Sequence, residues 1–470
     1  MPATIMEPAR RVPVAATVDV LVAGGGAAGL AAAVTAAREG ASTLLVERHA
    51  FLGGAATANL VNKLSQHREV LYGVSAEIID ELIRRKDAVA GRVINFDPEA
   101  YKRLTLEVLQ GAGVKLLFHT WVVAPILEDG TLRGVFIENK SGRQAILAKT
   151  TIDCTGDADI AYAAGVPVHK GQKSDGKMRP MVLLFRMGGI NFKAMVDYAR
   201  SHPDQFSPDP NRQVSDIEEG IVRMWGFFDL VEEASRRGEL PAGFHSLELE
   251  GVNVERGICY VNGAEVFRAD GTNAWDITKA EIAARDQIPV LAAFVCKYIP
   301  GCENAFVLDT AVSIGVRETR HIHGEYTLNE DDCATGRVFE DRVVRVSTHL
   351  VFPGSAMHSP DGKEGTLEDP YRTKVAPELK CFIPYRCMVP QKVDSLLVAG
   401  RSISQSHSAD AWTRPQVWCM GMGQAAGTAA ALALMSGVNA RSVDVKRLQD
   451  RLRSQGVPLD EIIDNGAASH

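Results

Sequence analysis

The sequence predicts an α/β protein in which a parallel sheet is interrupted by an α+β insertion, and three observations carry that class. Between Thr17 and Glu47 an apolar strand runs into GGGAAG, an alanine-rich helix and a second apolar strand, STLLVE. Between residues 114 and 156 three strand-like runs are separated by Asp129-Gly130 and Ser141-Gly142 turns. The strand and helix grammar returns near the C-terminus in KVDSLLVAGRS and MGMGQAAGTAAALALMSG, whereas the pattern from about 176 to 300 differs from both.

Composition sets the outer limits. A chain of 470 residues accommodates two or three compact units at roughly 150 residues each. With 46% hydrophobic and 23% charged residues it has the balance of a globular protein rather than a disordered one. The 51 basic and 58 acidic side chains leave a net charge of -7. They form no Lys/Arg-rich block, which argues against nucleic acid and for a small-molecule substrate. Eight cysteines without a C-x-x-C pair give no zinc or iron–sulfur ligand run, so no metal is expected, and reduced thiols point to the cytoplasm. Arg10-Arg11 does not open an export signal, because the apolar residues behind it run straight into the first strand. No uninterrupted apolar stretch of about 20 residues predicts a membrane span.

The first element is specific because each glycine has a separate task. Val18, Val20, Leu21 and Val22 form the strand, and Gly24, Gly26 and Gly29 follow in G-x-G-x-x-G spacing. Gly24 permits the tight turn, Gly26 lets a pyrophosphate approach the backbone, and Gly29 allows close helix–strand packing. Ala27 and Ala28 open the helix, whose unpaired N–H groups and dipole favour phosphate. Glu47, at the end of the second strand, stands about 20 residues on, where an acid binds ribose hydroxyls, with Arg48 beside it. Gly53-Gly54, followed by Ala55, allows a second close approach of backbone to ligand.

With that pair of glycines the sequence resembles the FAD-dependent oxidoreductases of the glutathione-reductase-like superfamily. The resemblance implies a Rossmann-like FAD-binding domain, and FAD as cofactor. His49 is a loop histidine outside the usual position for a covalent flavin link, so the mode of FAD attachment stays open. The helix over 98–111 is announced by Asp97 as N-cap and Pro98 at its first position. VKLLFHTWVVAPILED, TLRGVFIEN and RQAILAKTTIDCTG look like the three-stranded antiparallel excursion of such domains. Val122 is expected near FAD there, and Thr155, Gly156 and Asp157 resemble the motif beside the nucleotide.

In the middle, SDIEEGIVRMWGFFDLVEEASRR reads as one amphipathic helix with a Ser215…Glu218 capping box. A Thr278…Glu281 box is expected to open another. Met224, Trp225, Phe227 and Phe228 are core residues first and pocket residues second. No second G-x-G-x-x-G appears, against a dedicated NAD(P)H domain. The blocks VNGAEVFRADGTNAWDITKAEIAARDQI, IPGCENAFVLDTAVSIGVRETRHIHGEYTL and IPYRCMVPQKVDSLLVAGRSIS extend the resemblance over most of the chain, toward distant relatives of fumarate reductase flavoproteins. The expected division is an FAD-binding domain over 14–175 and 380–440, an α+β substrate or cap domain over 176–379, and a C-terminal helix and tail over 441–470.

The resemblance also places the C-terminal glycine-entered helix with its N-terminus at the flavin pyrimidine edge, assigning Gly423, Gln424, Ala425 and Ala426 there, with Gly400 and Arg401 ahead of them. Preorganised N–H donors at that edge would stabilise a reduced flavin. The loop between is expected to face substrate. His407 is the candidate acid/base, since removing a proton while flavin N5 accepts hydride suits a group titrating near neutrality. Arg317, Arg401 and Arg414 are candidates for a substrate carboxylate or the flavin oxygens. His321, four residues after Arg317, shares a face with it in either a helix or a strand, with His323 as the alternative partner. Trp412 and Trp418 stack on substrate or anchor the core.

The expected reaction is hydride transfer between a small polar organic substrate and FAD, with an external electron acceptor of unknown identity. An NAD(P)H-dependent flavin monooxygenase and an electron-transfer subunit of a larger complex are the alternatives. A disulfide reductase is disfavoured, because no C-x4-C follows Gly53-Gly54. Assembly into a homo-oligomer stays open.

Overall fold

The computed structural model describes residues 4–91, 93–206, 210–241, 244, 247–348 and 379–460. It opens with β1 (Val14–Ala23), α1 (Ala27–Arg38) and β2 (Thr43–Val46), and β2 pairs parallel with β1, Val22 opposite Leu45. The connecting turn demands glycine. Gly24 has φ +100° and a Cβ there would lie 2.4 Å from the Cys154 carbonyl oxygen, while one on Gly29 would lie 1.8 Å from that of Gly24.

Next come β3 (Lys63–Leu64), α2 (Gly73–Arg84), β4 (Ala88–Ala90) and β5 (Ile94–Phe96), the strands forming a small antiparallel sheet with β5 central. The helix α3 (Pro98–Gly111) starts as expected, with the Asp97 carboxylate accepting from Glu99 N and Ala100 N at 2.8 and 3.2 Å. The run after it is two strands rather than one. His119 at φ +51° separates β6 (Lys115–Leu117), which extends the parallel sheet beyond β2, from β7 (Trp121–Glu128). β7, β8 (Thr131–Asn139) and β9 (Gly142–Asp153) form the antiparallel excursion, and β9 also lies parallel to β1. A short helix, α4 (Asp159–Ala163), follows.

The inserted part contains β10 (Val168–Lys170), β11 (Met181–Gly188), α5 (Phe192–Ser201), α6 (Pro210–Glu218), β12 (Val222–Gly226) and α7 (Phe228–Arg236). It continues with β13 (Leu247–Asn253), β14 (Ile258–Val266), α8 (Ala274–Tyr298), β15 (Phe306–Thr310) and β16 (Arg320–Ile322). Five strands make one antiparallel sheet in the order β12, β13, β14, β11, β15. The single helix expected over 215–237 is therefore wrong. Gly220 at φ +89° ends α6, and Val222–Gly226 alternate inward and outward as an edge strand. Ser215 sits inside α6 and bonds Glu219, so it caps nothing. Thr278 is likewise interior, donating to the Ala274 carbonyl; Asn273 caps α8. Met224 and Phe227 are fully buried, and Phe227 packs edge-on to Phe206 at 4.8 Å, which makes them core.

The chain returns through α9 (Glu330–Ala334), β17 (Arg342–Thr348), β18 (Leu379–Pro384), β19 (Leu396–Val398), α10 (His407–Thr413), α11 (Gln416–Ser436) and α12 (Val445–Ser454). β19 inserts parallel to β9, completing a seven-stranded sheet. β17 pairs antiparallel with β18, so the expected boundary at 379/380 falls inside a ladder. The tail over 461–470 lies outside the described residues. Among the described residues α11 is long and apolar enough to cross a membrane, but 94% of its apolar window is buried in this fold.

Candidate active site

The nucleotide end is built where β1, β9 and β19 present their C-terminal edges, the usual ligand position in a parallel sheet. Glu47 is buried there. Its carboxylate accepts from Gly25 N at 2.6 Å and from His49 N at 2.8 Å, which aims it at the glycine turn. The second glycine loop meets the first: Gly53 N donates to the Gly25 carbonyl at 2.8 Å. A Cβ on Gly54, whose φ is +54°, would come within 2.8 Å of Gly26 Cα. A Cβ on Gly26 itself would meet nothing closer than 3.9 Å, and no side chain caps α1, so its first N–H groups stay available. This backbone cradle with a flanking carboxylate fits the pyrophosphate and ribose of FAD.

The other expected contacts fall around that cradle. Ala27 and Ala28 form the first turn of α1, and Ala55 lies exposed in the single turn after Gly54. The Arg48 guanidinium lies 5.3 Å from the Trp121 ring centre, and Thr120 N bonds the Glu47 carbonyl, which brings Val122 of β7 to the same end of the sheet. Thr155, Gly156 and Asp157 form a turn pinned by Asp153. That buried carboxylate accepts from the Thr155 amide and hydroxyl and from the Ile160 and Ala161 amides. Burial pushes its carboxyl up to about 6 despite those hydrogen bonds. Gly400, at φ +103°, brings the end of β19 against Ala28.

Arg401 is committed elsewhere than to substrate. Its Nε donates to the Gly156 carbonyl at 2.7 Å, Nη2 to Asp157 Oδ1 at 2.6 Å, and Nη1 to the Val316 carbonyl, so it clamps three chain segments together.

Gly423, Gln424, Ala425 and Ala426 are not at a helix N-terminus. α11 begins at Gln416, because Arg414 and Pro415 already supply its entry, and these four residues lie buried in its middle. A Cβ on Gly423 would lie 2.0 Å from the Ala28 carbonyl oxygen, and one on Gly427 2.3 Å from that of Ala32. The glycines let α11 and α1 touch backbone to backbone. Gln424 accepts from Val74 N at 3.1 Å and donates to Gln455 at 3.0 Å. The true N-terminus follows Pro415, which offers no side-chain cap, and Gln416 Nε2 reaches the Val61 carbonyl at 2.8 Å.

His407 opens α10, with Ser406 as N-cap. It is buried, and Nδ1 lies 2.7 Å from Glu318 Oε1 while Nε2 has no partner among the described residues. Glu318 also accepts from the Arg179 amide at 3.0 Å and from His321 Nε2, 3.3 Å away. Burial alone would raise the Glu318 carboxyl, but the two imidazoles hold it well below the usual range. Arg179 fixes the other side, donating to the His407 carbonyl at 2.9 Å and to Asp410 Oδ2 at 3.1 Å.

Arg414 is partly buried beside this pair, its buried Nε 3.6 Å from Asp410 Oδ2 and without a hydrogen bond among the described residues. Burial, then Arg179, draws its guanidinium down to about 10. Arg317 turns away to Glu265 Oε1 at 2.7 Å. It lies in a loop ahead of β16, so it shares neither a regular face nor a partner with His321. Trp412 and Trp418 are core residues with 3% and 1% exposure, so neither presents a ring to a ligand. Sequence reasoning missed Glu318, Arg179 and Asp410. Glu318 had a signal, as an acid between Arg317 and His321, but its contact with His407 spans 89 positions.

The chain is similar to several known proteins. A 163-residue stretch is 30% identical to digeranylgeranylglycerophospholipid reductase of Methanosphaerula palustris, covering 32% of this chain and 41% of that protein. A 159-residue stretch is 30% identical to thiamine thiazole synthase of Methanococcus vannielii, covering 30% of this chain and 58% of that protein. The matches thus span less than two thirds of the length of these relatives. Among solved structures, a geranylgeranyl bacteriochlorophyll reductase-like protein from Thermoplasma acidophilum aligns over 94% of this chain and 84% of its own, with 13% identity and a TM-score of 0.46. A myxobacterial chondrochloren halogenase aligns over 93% and 79%, with 12% identity and the same TM-score. The family described as FAD dependent oxidoreductase matches residues 19–452. With that match over most of its length, the chain belongs to the FAD dependent oxidoreductase family.

Proposed function

We propose that this enzyme oxidises a small polar organic molecule at a C–H bond next to an O–H or N–H, with His407 as the base that takes the proton. The observation that carries the reading is the state of the imidazole. Its Nδ1 is held on the Glu318 carboxylate at 2.7 Å, which fixes the tautomer and leaves the buried Nε2 as an acceptor without a partner among the described residues. The backbone of Gly24 to Gly29, Glu47, Gly53-Gly54 and the Thr155 to Asp157 turn would hold the cofactor. FAD, when bound, supplies a two-electron acceptor that a separate oxidant must regenerate. Arg414 would attract an anionic group on the substrate, because its Nε carries a buried, unused donor. The inserted five-stranded sheet, within residues 176–379, is the part we assign to covering the substrate.

Anaerobic mixing of the FAD-loaded protein with alcohols, sugars, amines and hydroxy or unsaturated acids tests this. One class should bleach the flavin absorbance, and His407→Ala should slow bleaching by about 10²–10⁴. An unchanged rate in that variant removes His407 from the chemistry. Bleaching by NADPH alone, with oxygen-dependent hydroxylation, would favour a monooxygenase instead. A flavin silent without a co-purifying protein would favour an electron-transfer subunit.

A further inference from the structure

The 25-residue helix α8 has two unlike sides. Ala280, Ala284, Ile288, Leu291, Phe294 and Val295 are buried, and Leu291 lies over Gly263 of β14, so this side packs on the inserted sheet. On the outward side Trp275, Lys279, Ile282, Asp286 and Pro289 follow one another at steps of four, three, four and three, and all five are exposed. That spacing keeps them in one straight stripe along the helix. Trp275 is 77% exposed, Ile282 58% and the flanking Val290 39%. Single apolar side chains are ordinary on a protein surface. Here a tryptophan and an isoleucine share a stripe with only the aliphatic stem of Lys279 between them. The charges of the stripe are as ordered as its apolar groups. Arg285 turns aside to Thr310 Oγ1 at 2.9 Å and to Glu281 at 3.4 Å, which leaves Lys279 and Asp286. Lys279 comes no closer than 4.0 Å to Asp276, its neighbour on the same helix. One cation and one anion thus stand on opposite sides of Ile282.

We propose that the outward face of α8 is a two-fold interface on which a second copy of this chain docks, with the two helices antiparallel. The charge order decides both the occupant and the direction. Around a two-fold axis beside Ile282, antiparallel helices set Lys279 against Asp286 of the second copy and repeat that pair on the other side of the axis. Ile282 then meets its own counterpart, and Trp275 covers Pro289 and Val290 of the second copy. Parallel helices would instead set Lys279 on Lys279 and Asp286 on Asp286, which repel. A helix of this length is about 37 Å long. Contact along one such helix falls at the small end of specific interfaces, below roughly 1,200 Å², so the dimer dissociates on dilution. The interface is independent of which residue serves as base and of which substrate is oxidised.

Sedimentation velocity of the FAD-loaded protein, diluted from about 100 to about 1 µM, spans the dissociation constants such a contact gives. The wild type should pass from dimer to monomer across the series. Ile282→Glu, Lys279→Glu and Asp286→Lys should each weaken association at least tenfold, with far-UV circular dichroism unchanged because all three positions are exposed. Carrying Lys279→Glu and Asp286→Lys in one chain should restore association to within threefold of the wild type. Mixing the two single variants should do the same, since every facing pair again joins opposite charges. Val307→Lys, on the exposed edge strand β15, should leave association unchanged. A wild type that stays monomeric at about 100 µM overturns the proposal and leaves this face to a different protein. A dimer indifferent to Ile282→Glu, or one lost in Val307→Lys, places the contact elsewhere and overturns it as well. Single charge reversals that have no effect, or that the double reversal fails to rescue, overturn the antiparallel pairing.

Discussion

Replacing Lys63 with methionine should destabilise the protein strongly at neutral pH and much less in mild acid. Lys63, on β3, reaches across to the inserted sheet, where Nζ lies 2.8 Å from Glu248 Oε1 and also bonds Glu250 Oε1. The Lys63 and Glu250 side chains are only 8% and 3% exposed, so solvent does little to screen them. Burial would lower the Lys63 ammonium, but the two carboxylates raise it overall. Burial would raise Glu248, yet Lys63 brings it down to about 2, while burial and then Glu248 leave Glu250 up at about 7.

Removing one partner from a buried ion pair costs about 3–5 kcal/mol, because the charge left behind loses its nearest compensation; here Arg223 still acts on Glu248. That range is expected for Lys63→Met at pH 7.5. As the pH falls, the abandoned Glu248 takes a proton in the folded variant that the wild type does not bind. The deficit should therefore shrink by about 1.4 kcal/mol per pH unit. In the wild type the sign for Glu250 is opposite to that of an ordinary paired acid. Its folded value of about 7 exceeds the ordinary carboxyl value of 4.5, so its contribution is full below the lower figure and is lost as pH rises through the higher. Urea unfolding at pH 7.5 and 5.5, followed by far-UV circular dichroism, reads both effects. A loss below about 1 kcal/mol at pH 7.5, or a loss of equal size at the two pH values, refutes the reasoning. Adding Glu248→Gln and Glu250→Gln to Lys63→Met should recover most of the stability.

Two further variants probe the cofactor cradle and the contact of α11 with α1. Glu47→Ala should weaken FAD binding at least tenfold, about 1.4 kcal/mol, in equilibrium dialysis, because the acid beside the glycine turn is lost; unchanged affinity would remove Glu47 from the site. Gly423→Val should lower the thermal midpoint of the apoprotein, since the added side chain drives into the Ala28 carbonyl 2.0 Å from its Cβ and overpacking costs about 1–3 kcal/mol. A variant with an unchanged apoprotein midpoint and weaker FAD binding would return Gly423 to the flavin.

What the sequence alone determined is local. Gly24, Gly26, Gly29 and Glu47 lie within one strand–turn–helix–strand unit of about 30 residues, so spacing suffices to read them, although the carbonyl that crowds Gly24 comes from Cys154. Asp97 and Pro98 are legible for the same reason, as caps act on the next turn. Tertiary structure decided everything that depends on which distant segment fills a space. An amphipathic run at 215–237 became helix, strand and helix because the edge of a sheet was available to Val222–Gly226. GMGQAAG looks the same whether its glycines face a cofactor or another helix, and only the position of α1 shows that they face Ala28 and Ala32. The arginines were equally ambiguous in sequence, since a guanidinium serves a substrate or an internal clamp with the same chemistry. Arg401 and Arg317 found protein partners, Arg414 kept a donor without a hydrogen bond among the described residues, and Glu318 met His407 because the loop before β16 reaches the first residue of α10.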